Sequence, residues 1–177
     1  MDKDKKLVEK ISKIKLLLLD VDGVLTEGSI VYSDKGGEIK SFNVQDGHGI
    51  KLLMRGGIDV GIITARESRV VATRARDLGI TLLYQGSRDK RACFNKILDK
   101  EGLKPHETAF VGDDLVDIPV LTRAGFSASV PGGVPEVRDR VDYVTVAPGG
   151  RGAVREICEL MLKARGLWDG LIAGYLE

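Results

Sequence analysis

The chain has 177 residues, with 27 Lys and Arg against 26 Asp and Glu, for a formal net charge of +1. Its 43% hydrophobic and 30% charged residues are the proportions of one globular domain and exclude a disordered chain. Balanced charge gives no electrostatic case for nucleic acid or an anionic membrane, and the longest apolar run, Leu16 to Leu19, falls far short of the ~20 residues of a membrane span or the roughly 7–15 of a secretory signal.

In chain order, Asp2–Ile14 is charged, with Leu7, Ile11 and Ile14 at helical spacing, which predicts a short amphipathic helix. Lys15–Asp20 reads as a buried strand that ends abruptly in acid. Ser29–Ser33 and Glu38–Val44 flank Asp34-Lys35-Gly36-Gly37, a hairpin signal. Asp46–Arg55 reads as a helix stopped by Gly56-Gly57. Strand and helix patterns then alternate: Val60–Thr64 and Glu67–Leu78, Ile80–Tyr84 and Arg88–Glu101, Thr108–Val111 and Leu115–Ala124. Two further strands are expected at Phe126–Val130 and Asp142–Val146, and a final helix at Gly152–Arg165. Repeated βα units predict an α/β fold: a Rossmann-like, mostly parallel sheet with helices on both faces, in a single domain over residues 1–177 with a β-hairpin insertion at about 29–44. Cys93 and Cys158 form no C-x-x-C pair, and with His48 and His106 they show no zinc spacing, so a reducing, cytoplasmic setting is expected.

In open α/β sheets ligands bind beyond the carboxyl ends of the strands. The expected strand ends carry Asp20-Val21-Asp22-Gly23, Thr64-Ala65-Arg66, Lys90 after a loop, and Gly112-Asp113-Asp114 with Asp117 one turn later. Alone, each motif has an ordinary reading: a turn, a helix cap or a solvated lysine. Their placement after separate parallel strands is what points to a site. Two carboxylates about 4 Å apart repel by roughly 4 kcal/mol at an effective dielectric near 20, so protons or a cation must relieve them. Oxygen-only ligands favour a hard cation, Mg²⁺ over Ca²⁺. Carboxylate, Mg²⁺, hydroxyl and ammonium together suit a phosphoryl group: an Asp can attack phosphorus, and a second acid can protonate the leaving alcohol and then activate water. His48 reads as a helix-start residue or a proton shuttle, and Pro148–Gly152 as a turn or an anion site at a helix start. No G-x-x-x-x-G-K-[ST] occurs, which excludes a P-loop nucleotidase.

The run Asp20-Val21-Asp22-Gly23-Val24-Leu25-Thr26, then Thr64, Lys90 and Gly112-Asp113-Asp114-Leu115-Val116-Asp117, resembles the four motifs of the haloacid dehalogenase superfamily of phosphatases. Phe42–Ile50, Leu83–Gly86 and Gly149–Glu156 extend the likeness toward the branch acting on sugar-acid phosphates, from about Lys15 to Gly170. The resemblance implies hydrolysis of 3-deoxy-D-manno-octulosonate 8-phosphate, a step toward lipopolysaccharide, with a nine-carbon sugar acid 9-phosphate as the alternative substrate. It also implies roles. Asp20 would be the nucleophile and a Mg²⁺ ligand. Asp22 would be the general acid/base, with its backbone carbonyl on the metal, and Asp113 the third ligand. Thr64 and Lys90 would hold phosphoryl oxygens, Asp114 and Asp117 would support the metal site, and Arg66 and Arg74 would bind the anionic sugar. Ala65 and His48 depart from the residues usual in the family, both on its substrate side.

Eight residues apart, Arg66 and Arg74 are expected about 12 Å apart on one helix face. The segments 23–63 and 65–89 are filled by the expected hairpin, helices and strand, which leaves no room for a cap domain. The resemblance implies a homotetramer instead, with Ile30, Tyr32, Ile39 and Phe42 of the hairpin in contact with a neighbouring subunit. Two readings of another class are a phospho-receiver domain and a non-catalytic regulatory domain. The D-x-D on the first strand and the late acid pair weigh against the former, the intact motif set against the latter.

Overall fold

The computed structural model describes residues 3–176. The expected helix start at Asp2 lies outside them. A helix α1 (Lys3–Ser12) precedes strand β1 (Leu16–Leu19). A hairpin follows, β2 (Val31–Tyr32) and β3 (Glu38–Ile39), and then helix α2 (Val44–Arg55). The chain next alternates through β4 (Asp59–Ile63), α3 (Arg69–Leu78), β5 (Leu82–Tyr84), α4 (Lys90–Glu101) and β6 (Thr108–Val111). It continues through α5 (Ile118–Leu121), β7 (Phe126–Ser129), α6 (Pro135–Arg138), β8 (Tyr143–Val144), α7 (Ala153–Ala164) and α8 (Trp168–Ala173).

The main sheet has six strands in the order β5-β4-β1-β6-β7-β8, all paired in parallel. β1 is at the centre, with Leu17 opposite Val60 on one side and Ala109 on the other. Its four leucines are buried and serve two cores. Leu17 and Leu19 pack into a cluster with Ile11, Ile50, Val71, Ile157 and Met161, drawn from α1, α2, α3 and α7. Leu16 and Leu18 pack with Phe94, Ile97, Val120 and Val137, from α4, α5 and α6. Period-two alternation on one strand therefore feeds both faces, and each buried leucine contributes about 1.5–3 kcal/mol. From β1 the chain moves outward through β4 and β5, then returns to β6 on the opposite side. The crevice between β1 and β6 is thus the switch point where such sheets bind ligands.

Several boundaries differ from expectation for local reasons. The hairpin strands are two residues each instead of five and seven, because their residues pack on little and only Val31–Ile39 and Tyr32–Glu38 pair. α2 starts at Val44, two residues before the expected Asp46, because Asn43 caps it, accepting from the Gln45 N–H (2.7 Å) and the Asp46 N–H (3.2 Å). The expected helix Leu115–Ala124 splits into a 3₁₀ turn over Leu115–Asp117 and the short α5, because Asp117 turns inward and Pro119 lacks an N–H. α6 has four residues and α8 six, too short for a helical period to repeat in the sequence.

Candidate active site

Asp20 is the first residue beyond β1, 7% exposed, and its N–H donates to Val111 O (3.0 Å), which prolongs the β1–β6 ladder by one residue. The chain then folds tightly, with the N–H groups of Val24, Leu25 and Thr26 all donating to Val21 O. Gly23 within this loop has φ +89°, and a Cβ there would lie 1.9 Å from Asp113 Oδ2, so a side chain is excluded where the two acid loops meet. Gly149, on the Pro148–Gly152 loop, packs from the other side: its Cβ would lie 1.7 Å from Gly23 O.

Thr64 follows β4 and is buried, and its hydroxyl accepts from the Arg66 N–H (3.4 Å). Lys90 opens α4, whose start is capped by Asp89 accepting from the Ala92 N–H (2.9 Å). Lys90 is 2% exposed, and its ammonium lies 2.6 Å from Asp117 Oδ1 and 2.9 Å from Asp20 Oδ1. Burial works against that ammonium, but Asp20 and Asp117 outweigh it and hold its pKa above the ordinary lysine range. Asp117 Oδ2 accepts from the N–H groups of Asp113 (3.0 Å) and Asp114 (3.2 Å). With both oxygens committed and no exposed surface, Asp117 shapes the Asp113 loop. Asp114 caps the 3₁₀ turn, accepting from the Leu115 N–H (2.7 Å).

One oxygen each of Asp20, Asp113 and Asp117 lie within 4.8 Å of one another. Burial, then the Asp117 charge, pushes Asp20 up to about 6 despite Lys90. Burial, then Asp20, Asp117 and Asp114, pushes Asp113 up to about 7. The carboxylates therefore repel more than one lysine can offset, and a hard divalent cation would relieve them. Asp20, Asp22, Thr64, Lys90, Asp113 and Arg66 all line one cleft of ≈ 270 Å³ at the rim of the sheet. Asp114, Ala65 and Val116 line it as well.

The arginines separate. Arg66 precedes α3, whose N-cap is Ser68, so it is not on the helix with Arg74. Its guanidinium is on the cleft wall, where Nη2 donates to Glu38 Oε1 (3.1 Å) and Tyr32 OH (3.2 Å) and Nε lies 3.9 Å from Asp22 Oδ2. Arg74 instead donates to Asn43 O (3.1 Å) and sits over the Phe42 ring, outside the cleft lining. The expected shared face is thereby corrected. Phe42 is half-buried against the main core, whereas Ile30, Tyr32 and Ile39 are exposed.

His48 lies outside the cleft lining, with Tyr175 OH 3.3 Å from its Nε2. The start of α7 does hold an anion, and it is Asp46 of α2, whose carboxylate accepts from the N–H groups of Gly152 (3.3 Å) and Arg155 (2.8 Å). Burial pushes the Asp46 pKa up, against the pull of those donors.

Sequence reasoning missed Lys40. Its side chain has no exposed surface, and its ammonium sits on Asp22 Oδ1 and 3.4 Å from Glu38 Oε1. Strand periodicity, which puts Glu38 and Lys40 on one side of the hairpin, was the available signal.

Known proteins resemble this chain over most of its length. A family model described as haloacid dehalogenase-like hydrolase matches residues 46–125. The 3-deoxy-D-manno-octulosonate 8-phosphate phosphatase of Escherichia coli (strain K12) is 47% identical over 163 residues, 92% of this chain and 87% of that protein. The enzyme of the same name from Yersinia pestis is 43% identical over 164 residues, 93% and 88% of the two chains. The crystal structure of the Moraxella catarrhalis phosphatase, in complex with magnesium, phosphate and a KDO molecule, superposes with a TM-score of 0.95 at 43% identity, covering 97% of this chain and 98% of that one.

Proposed function

The chain belongs to the haloacid dehalogenase-like hydrolases, in the branch of 3-deoxy-D-manno-octulosonate 8-phosphate phosphatases, and from that premise we propose that it hydrolyses this eight-carbon sugar-acid phosphate with Mg²⁺. The observation that carries the reading is the meeting of Asp20, Lys90 and Asp113 in one cleft with Arg66 on its wall.

Lys90 occupies Asp20 Oδ1, which leaves Oδ2 as the attacking oxygen. That oxygen bonds to phosphorus as the ester P–O bond breaks, and Asp22 delivers a proton to the departing sugar oxygen. A water then surrenders a proton to Asp22 and attacks phosphorus, releasing phosphate and regenerating the Asp20 carboxylate. Thr64 and Lys90 orient the phosphoryl oxygens. The carboxylates of Asp20 and Asp113 and the Asp22 backbone carbonyl would hold Mg²⁺, which when bound neutralises charge on the transferred group. Asp117 and Asp114 keep the Asp113 loop in place. Arg66, a planar guanidinium within the cleft, suits the substrate carboxylate. Arg74 would serve the sugar acid only from another cleft, across a subunit contact.

The same reading includes a single domain over residues 1–177, a cytoplasmic setting and a homotetramer built on the hairpin. Exposed Ile30, Tyr32 and Ile39 support that assembly. Among the described residues no helix is long and apolar enough to cross a membrane.

The test is hydrolysis of a panel: the eight-carbon 8-phosphate, a nine-carbon sugar acid 9-phosphate and an uncharged aryl phosphate, with Mg²⁺ and after chelation. The eight-carbon ester should have the highest kcat/KM. Chelation should remove activity, and Asp20→Asn should lower kcat at least ~10³-fold, about 4 kcal/mol of barrier. Undiminished turnover after chelation, or no preference for either sugar acid, would sink the reading.

A further inference from the structure

The hairpin is mostly exposed, with Val31 at 48%, Tyr32 at 63% and Ile39 at 54%. Yet the residue that follows β3, Lys40, carries a side chain with no exposed surface at all. An ammonium removed from water must be paired with anions. Glu38 is one, but it is shared with Arg66 at 3.1 Å and stands 3.4 Å from Lys40. The closer partner is Asp22 Oδ1. Among the described residues, Lys40 is the group that hydrogen-bonds the Asp22 carboxyl. The other oxygen, Oδ2, faces Arg66 Nε at 3.9 Å, too far to bond, and that buried nitrogen has no hydrogen-bond partner.

A carboxyl on a tight turn with neither oxygen tied has several accessible rotamers. One held by a single oxygen has its second oxygen aimed. From this geometry, and resting on the reading of Asp22 as acid and base, we infer that Lys40 is a positioning residue for proton transfer: it anchors Asp22 by Oδ1 so that Oδ2 meets the leaving oxygen and then the attacking water. The arrangement repeats the logic by which a catalytic base is oriented by a third group. Because Lys40 comes from the hairpin, docking of the hairpin and alignment of the acid are one event.

The consequence is a dependence on leaving group. A sugar alkoxide departs only if protonated as the P–O bond breaks, whereas a p-nitrophenolate departs unaided. The experiment measures kcat/KM, which reports the step that phosphorylates Asp20, for wild type, Lys40→Met and Lys40→Arg. The substrates are phosphate esters from p-nitrophenyl through phenyl to a simple alkyl alcohol, at saturating Mg²⁺. Lys40→Met should lose ~10²-fold on the alkyl ester and less than about 3-fold on p-nitrophenyl phosphate, and Lys40→Arg should recover most of the loss. A uniform loss across the series, or no loss, would overturn the positioning role. Should Lys40→Met fail to fold, Lys40→Gln, whose uncharged amide ends one bond short of the ammonium it replaces, must show the same gradient in weaker form, and a flat profile overturns the inference. A wild type inert toward every ester would overturn the phosphatase reading and this inference together. A wild type active on aryl and alkyl esters but indifferent to sugar acids would overturn only the substrate, and the Lys40 gradient would still decide the inference.

Discussion

Asp117 and Lys40 each take a charge out of water beside the same cleft, one from the turn after a core strand and the other from an exposed hairpin. Asp117 sits under Lys90 in the 3₁₀ turn that follows β6, buried and tied to the N–H groups of Asp113 and Asp114. Lys40 extends from two paired residues per strand, and a two-stranded ribbon of that size is marginal in water by itself. At the sheet rim the fold holds the ion pair. At the hairpin the ion pairs, Lys40 with Asp22 and Arg66 with Glu38, hold the fold. Similar carboxylate–cation chemistry is thus a consequence of structure in one place and its cause in the other.

The comparison breaks first at Asp117. Asp117→Ala leaves the N–H groups of Asp113 and Asp114 without their acceptor and Lys90 with Asp20 alone. It should cost about 3 kcal/mol of global stability in urea unfolding, the low end for a broken buried pair because Asp20 remains. A loss below about 1 kcal/mol would mean that the rim does not depend on this network.

A smaller effect comes from pH. Asp20 and Asp113 ionise at about 6 and about 7 in the fold, against 3.8 for an ordinary aspartate. Because these values are raised, the stability they contribute is complete below pH about 4 and is lost as pH rises through 6 to 7. Metal-free protein should therefore lose on the order of 2 kcal/mol between pH 6 and pH 8, and Mg²⁺ should restore more at pH 8 than at pH 6. Asp113→Asn should flatten the profile, and an unchanged slope in that variant would exclude Asp113 as its source.

The smallest effect belongs to the hairpin. Tyr32→Phe removes one exposed hydrogen bond to Arg66 and should shift global stability by less than about 0.5 kcal/mol. Amide exchange at Val31 and Ile39 should nevertheless quicken, because local opening is governed by the hairpin's own contacts. Unchanged exchange would show that this hydrogen bond does not help to hold the hairpin.

What can be read in the sequence follows the same division. Asp20, Thr64 and Asp113 are legible because each stands where an apolar run ends, and Lys90 because it follows such a run after a short loop; parallel strands bring such ends together. Asp22 and Arg66 are legible as cleft residues for the same reason. Lys40 is not, since its acceptor lies across a turn 18 residues away and an isolated hairpin lysine ordinarily faces water. Nor is Asp46, which caps a helix more than a hundred residues later. Strand lengths in the hairpin are overread because alternation there reflects surface residues and not a buried face. Arg74 misleads for a related reason: helical spacing places it one turn pair from Arg66 only if both are on the helix, and Ser68 begins the helix after Arg66.

The contact of Gly149 with Gly23 bears on how the protein is made. Synthesis runs from the N-terminus, so the Asp20 loop is completed early and stands without its outer wall until residues 148–152 follow. Asp113, whose carboxylate rests against the same glycine, comes between. An interrupted chain that stops short of Gly149 carries the nucleophile and every strand of the sheet but leaves the loop that bears Asp20 uncovered. The wall over the Asp20 loop is thereby a late product of translation, present only in a chain that has been read nearly through.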